Sequence, residues 1–273
     1  MFEARRKSSW IGSLGRVLEL IFHNTVRSVR KTHANAFMAI GLNILQTVIL
    51  VASFYILFTV LGMRSSAIRG DFILFIMSGI FLYMLHVRAV QAVFSTEGPS
   101  SPMMLHAPMT TFVAITSNAL AALYTQLLSM VLVLYFCHVI FEPIEIHNWK
   151  GALGMVCLAW FSGVGVGILF LGLKPWFPSG ASTAQTIYSR ASMIASGKMF
   201  VANQLHGYMI DWFDWNPLFH VIDQTRGFVF INYFPHHSSV TYPLYVSIVL
   251  LMIGLMGEFY TRQNASISWG ARR

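Results

Sequence analysis

The sequence predicts an all-α integral membrane protein, with six transmembrane helices, an N-terminal amphipathic helix at the interface and a short re-entrant segment before the last helix. Three observations carry this reading. Of 273 residues, 56% are hydrophobic and only 10% charged, whereas a soluble domain carries about 45–50% apolar and about 25% charged residues. Several apolar stretches reach the roughly 20 residues needed to cross about 30 Å of hydrocarbon. The basic excess, +8 overall, gathers at the chain ends, as an orientation signal does. A water-soluble enzyme is thereby excluded, because ten acids and eighteen bases cannot wet the surface of a domain this long. A nucleic-acid partner is not indicated either, since the bases flank spans instead of forming a patch.

The chain divides into a cytoplasmic N-terminus, residues 1–36, and a six-helix transmembrane domain, residues 37–273. No apolar stretch or small-residue cleavage site follows Arg5, Arg6 and Lys7 closely, so the start does not read as a secretory signal. From Trp10 onward, Leu14, Val17, Leu18, Ile21, Phe22, Val26 and Val29 keep to one helical face, opposite Arg16, Glu19, Arg27 and Arg30. A helix cationic on one side and apolar on the other suits the plane of the membrane beside anionic lipid. Packing on a partner protein is the alternative.

Five spans follow from apolar length: Phe37 to Leu61, Phe72 to Phe94, Phe112 to Phe141, Ala152 to Leu173 and Val240 to Tyr260. Arg27, Arg30 and Lys31 precede the first, and Arg262, Arg272 and Arg273 follow the last, so both termini are expected in the cytoplasm. Two ends on one side require an even number of crossings. A sixth is therefore expected between Leu173 and Val240, best placed at Ala184 to Met209. Arg190, Lys198, Asn203 and Gln204 make it a poor lipid helix, because a charge at a helix centre costs about 2.5–3.5 kcal/mol on insertion scales. It is expected to face protein or water. Asp211 to His237, rich in aromatics and broken by Pro217 and Pro235, reads as a re-entrant or interfacial piece on the outer side.

Several chemistries find no motif. Gly197-Lys198 lacks the earlier glycine of a phosphate-binding loop, since Ser192 stands there. Gly163, Gly165 and Gly167 lie inside an apolar helix, where small residues let helices approach closely. Cys137 and Cys157 sit in apolar runs, His236-His237 has no ligand at metal spacing, and no metal site is expected. His86 and His138 read as interfacial imidazoles. No Gly-x-Ser-x-Gly elbow occurs, and Asp211, Asp214 and His220 are the only cluster with acid–base potential. Between the second and third spans, Glu97, Met103, Met104, Leu105 and His106 lie in a proline-rich loop expected in the cytoplasm. Exposed Met and Leu there suit docking of a cytoplasmic partner; packing on the chain's own first helix is the alternative.

The run Asn216-Pro217-Leu218-Phe219-His220-Val221-Ile222-Asp223-Gln224-Thr225-Arg226, with Phe230, Tyr233, Tyr242 and Gly254-Leu255 after it, resembles the C-terminal signature of type-2 ABC exporter permeases. Those exporting capsular polysaccharide, O antigen and related lipid-linked polymers look most similar. Ser196-Gly197-Lys198-Met199-Phe200 resembles the element before that signature, and Met104-Leu105-His106-Ala107-Pro108 resembles the coupling segment. The resemblance implies a bacterial inner-membrane permease that pairs with a second copy of itself and with two copies of an ATP-binding subunit. ATP and Mg would sit on that partner, with no cofactor on this chain. Its other partners would be the lipid-linked polysaccharide, membrane lipids and periplasmic export proteins. Glu97, Met103, Met104, Leu105 and His106 would couple to the ATPase, and Asn216, Pro217, Asp223 and Arg226 would form the outer re-entrant motif. A glycan route wants aromatic platforms and uncharged hydrogen-bonding groups, which makes Tyr55, Phe58, Tyr188, Asn203 and Gln204 candidates for the pathway. Asp223 and Arg226, three apart on one helical face, are expected to form an ion pair. Two rival readings remain: an ABC exporter permease for a small drug or lipid, and a membrane-embedded transferase acting on a lipid-linked sugar.

Overall fold

The computed structural model describes residues 10–31, 36–62, 68, 71–97, 110–141 and 143–264. Among these the structure is all-helical, without strands. In chain order the helices are α1 (Trp10–Lys31), α2 (Ala36–Val60), α3 (Phe72–Phe94), α4 (Thr111–Ile140), α5 (Trp149–Leu173), α6 (Pro178–Ala195), α7 (Gly207–Phe213), α8 (Pro217–Val229) and α9 (Thr241–Asn264), with one 3-10 turn at Ala202–Gln204. Five of them, α2, α3, α4, α5 and α9, are long and apolar enough to cross a membrane, the make-up of a multi-pass membrane protein. The starts of α3, α4 and α5 fall within a few residues of the apolar runs, each at a short polar side chain that caps it. Asp71 accepts from Ile73 N at 2.8 Å, Thr110 from Val113 N at 3.3 Å and Asn148 from Gly151 N at 3.0 Å. Each satisfies an N–H that the first turn leaves open.

The two central helices are α3 and α5, and their contact depends on glycine. A Cβ on Gly163 would lie 2.5 Å from the His86 carbonyl, and one on Gly167 would lie 2.8 Å from Val93 Cβ. Gly165 faces the other way, toward α9, where its Cβ would meet Ser247 O at 3.0 Å. The glycine series of α5 is thus a packing stripe on two sides. By contrast α2, α4 and α9 leave Leu45, Ile49, Ile56, Val131, Val139, Tyr245, Val249 and Met252 exposed at the surface of the bundle, as lipid-facing helices do. Helix α1 packs against α4, its Ser28 donating to Asn118 Oδ1 at 2.6 Å, and leaves Leu14, Leu18 and Phe22 exposed.

The expected sixth crossing, Ala184 to Met209, is not among the helices long and apolar enough to span a membrane. The helix in that region is Pro178–Ala195, not Ala184 to Met209, and it is 18 residues long. Pro178 occupies the first turn, where a missing N–H costs nothing. Gly197, at φ +71°, stops the other end in the left-handed region that glycine adopts freely. Asn203 and Gln204 therefore lie beyond the helix, in the 3-10 turn. Helix α6 runs from one end of the bundle toward the other. At its start the Lys174 ammonium donates to Phe94 O, at the end of α3, at 3.0 Å, and just past its end the Lys198 backbone lies against Gly79, in the first third of α3. Helix α9 ends beside the start of α6, where Trp176 Nε1 donates to Thr261 Oγ1 at 2.9 Å.

Candidate functional site

Two polar assemblies meet α6. The first lies inside the bundle. His86, fully buried in α3, places Nδ1 2.9 Å from Ser162 Oγ of α5 and Nε2 2.8 Å from the Tyr188 hydroxyl of α6. Tyr188 also meets the Phe170 ring, centroids 5.8 Å apart. His86 is thus no interfacial imidazole. It is the polar bridge among three helices, and it sits where Gly163 lets α3 and α5 come close. Ala181, Gln185, half-buried Tyr188 and Ser192 form the one stripe of α6 turned to the bundle. Ser179, Ser182, Thr183, Thr186 and Arg190 remain exposed.

The second assembly closes the end of α6. Asn216 caps α8 by accepting from Leu218 N at 3.0 Å, while its amide donates to Ala195 O at 3.0 Å, tying α8 to the last turn of α6. Arg226, only 1% exposed, reaches from α8 into the turn after α6. It donates to Gly197 O at 3.0 Å, Lys198 O at 2.9 Å and Phe200 O, and its guanidinium lies 4.3 Å from the centre of the Phe75 ring. A planar fork with five N–H donors suits such a cluster of carbonyls. The expected Asp223–Arg226 ion pair is not formed. Asp223 instead accepts from the Tyr233 hydroxyl and, at 2.6 Å, from Ser238 Oγ. Burial, and then the neighbouring Asp223 carboxylate, push the Tyr233 phenol upward, so it stays a donor. The helical spacing was right; each group simply has nearer partners from loops the spacing does not reveal.

Lys198, expected in a crossing that faces protein or water, lies past the end of α6 and is 2% exposed. Its ammonium lies 3.9 Å from the Tyr83 ring centre and 4.7 Å from that of Phe54. Two aromatic faces attract a cation where no acceptor is available among the described residues.

The other pathway candidates separate. Phe58 is buried against Phe72, centroids 5.8 Å apart, in the chain's own core, and Tyr55 is half-buried at 6.0 Å from the same ring. Asn203 is exposed, donating to Phe234 O at 2.7 Å, and Gln204 is exposed beside it. Glu97 lies half-buried just after α3, while Met103, Met104, Leu105 and His106 lie outside the described residues. In the acid–base cluster, His220 Nδ1 accepts from Ser239 N at 3.2 Å, so Nε2 carries the proton toward Asp214 O at 2.7 Å. His220 Nε2 also lies 3.1 Å from Asp214 Oδ1, so two members of the cluster do meet, while Asp211 is exposed. Among the described residues no group of three or more His, Cys, Asp and Glu is placed to hold a metal. No protein-family model and no curated protein matches the chain.

Proposed function

We propose that this chain is the permease subunit of an ATP-driven ABC exporter that moves a lipid-linked cell-surface polysaccharide across the bacterial inner membrane. The observation that carries the reading is α6: a helix with Ser179, Ser182, Thr183, Thr186 and Arg190 exposed, alongside Ile187, Met193 and Ile194 toward its end, running most of the height of a bundle whose other long helices are apolar. Lipid is a poor neighbour for that face, since an arginine at a helix centre costs about 2.5–3.5 kcal/mol on insertion scales. Water or a second copy of the chain covers it. Two copies facing each other across α6 enclose a polar passage, and α6 completes an even set of crossings that puts both termini in the cytoplasm. The resemblance of Asn216 to Arg226 to exporter permeases supplies the cargo class. The transferase alternative would rest on His220 and Asp214, whose side chains meet at 3.1 Å, with the other ring nitrogen of His220 held by Ser239 N.

ATP binding on the partner would shift populations between inward- and outward-facing states, with the loop around Met104 and Leu105 as the contact. The test is twofold. Cells lacking the chain should lose surface polymer and retain lipid-linked polymer inside, and the tagged chain should copurify with a protein containing a nucleotide-binding loop. Normal surface polymer in the deletion strain would refute the cargo, and purification without such a partner would refute the exporter.

A further inference from the structure

At the end of the bundle where α1 packs, a cavity of about 420 Å³ opens between α1, α2, α3 and α4. Its polar lining includes Ser28, Asn43, Arg88, Gln91, Asn118 and Thr125, and among the described residues no acidic side chain joins it. Arg88 is half-buried. Of its five N–H donors, the bond formed among the described residues goes to Gln46 Oε1 at 2.7 Å, a neutral partner. Asn43, buried beside the cavity, has no partner for Oδ1 among the described residues. A space of this size and polarity does not stay empty.

An arginine set within a membrane helix, with no carboxylate beside it among the described residues, marks a site where charge is used. Its fork matches phosphate oxygens, forming two parallel bonds. The cavity lies where the start of α2, the end of α3 and the start of α4 come together under α1, whose Leu14, Leu18 and Phe22 are exposed as a lipid-facing edge. Its depth is therefore that of headgroups in the leaflet α1 rests on, where basic pockets between helices take anionic lipid. We propose that this cavity holds the phosphate headgroup of an anionic glycerophospholipid from that leaflet, with Arg88 as its cation and the amides of Gln91 and Asn118 beside it. A bound lipid there ties α1 to α2, α3 and α4. The proposal needs the chain to be membrane-embedded but does not depend on what it exports.

The test is native mass spectrometry of the full-length chain in detergent, with phosphatidylglycerol, phosphatidylcholine or inorganic phosphate added in separate arms. Wild type should retain phosphatidylglycerol about ten-fold better than phosphatidylcholine, a difference of about 1.4 kcal/mol. Arg88→Gln should abolish the preference. Because Arg88 also contacts Gln46, Gln91→Glu provides a second variant: Gln91 is exposed, so its fold should stand, while a carboxylate one turn from Arg88 neutralises the arginine and repels phosphate. Q91E should show the wild-type melting curve without lipid and no lipid preference. Equal retention of the two lipids by wild type, or an undiminished preference in a folded Q91E, overturns the proposal. Inorganic phosphate stabilising the chain as well as phosphatidylglycerol does would also overturn it, by making the site one for a free anion.

Discussion

Replacing Arg226 by Met removes the clamp between α8 and the end of α6 while keeping a similar apolar length against Phe75. Three hydrogen bonds from a charged donor are lost, at Gly197, Lys198 and Phe200, each contributing about 1.5–3 kcal/mol when intact. Their sum overstates the effect, because the buried guanidinium's own desolvation cost disappears with it, and what remains is about 1–3 kcal/mol for each carbonyl left without a donor. The three carbonyls are left short of donors, but Phe200 and Lys198 lie in a turn that can relax, so the lower end, about 3 kcal/mol, is expected. For a chain this long, by analogy with soluble domains of 150–250 residues, that is a fall of roughly 6–12 °C in melting temperature. Arg226→Lys should fall between, since one ammonium cannot reach three carbonyls and stack on a ring as well. The assay is thermal unfolding of purified protein in detergent, followed by fluorescence. A shift for R226M within about 2 °C of wild type, under 1 kcal/mol, would refute the reasoning, for it would mean the clamp is not what closes the end of α6.

Further outcomes follow from the same contacts. In a double-mutant cycle, Asp223→Asn with Tyr233→Phe should show strong coupling, about 1 kcal/mol or more, and Asp223→Asn with Arg226→Met should show less; the reverse order would restore the ion pair. Gly163→Ala should destabilise by about 1–3 kcal/mol through overpacking on the His86 carbonyl, whereas Gly154→Ala, with nothing within 4 Å of the added Cβ, should be neutral or slightly stabilising. Tyr188→Phe leaves His86 Nε2 unpaired and should cost about 1–3 kcal/mol, and His86→Leu with Tyr188→Phe should cost less than the sum of the two singles. All are read as melting temperatures of the purified chain.

Much of this architecture is legible in the sequence, and the reasons differ by element. Helix α3 could be placed from Phe72 to Phe94 because apolarity and the Asp71 cap coincide. Helix α6 could not be placed by apolarity, which it lacks; its true signals were Pro178 and Gly197, and reading them would have put Asn203 and Gln204 in the following turn. Parity required a helix there without locating its ends. The glycines of α5 announced close packing, but not that His86 lay beneath one of them. The partners of His86, Ser162 and Tyr188, are separated from it by 76 and 102 residues, beyond any local periodicity. Asp223 and Arg226 misled for a related reason. Spacing within α8 brings them to one face, yet the open carbonyls after α6 and the hydroxyls of Tyr233 and Ser238 are supplied from outside the helix.

The account depends most on α6 being a water-facing crossing. Single cysteines at Ser182 and Thr186 of α6, and at Val249 and Met252 of α9, all exposed in one chain, can be placed in a background lacking Cys137 and Cys157. In membranes, a small water-soluble thiol reagent should label Ser182→Cys and Thr186→Cys and leave Val249→Cys and Met252→Cys unreacted. Labelling of all four, or of the α9 pair alone, would contradict a polar passage along α6.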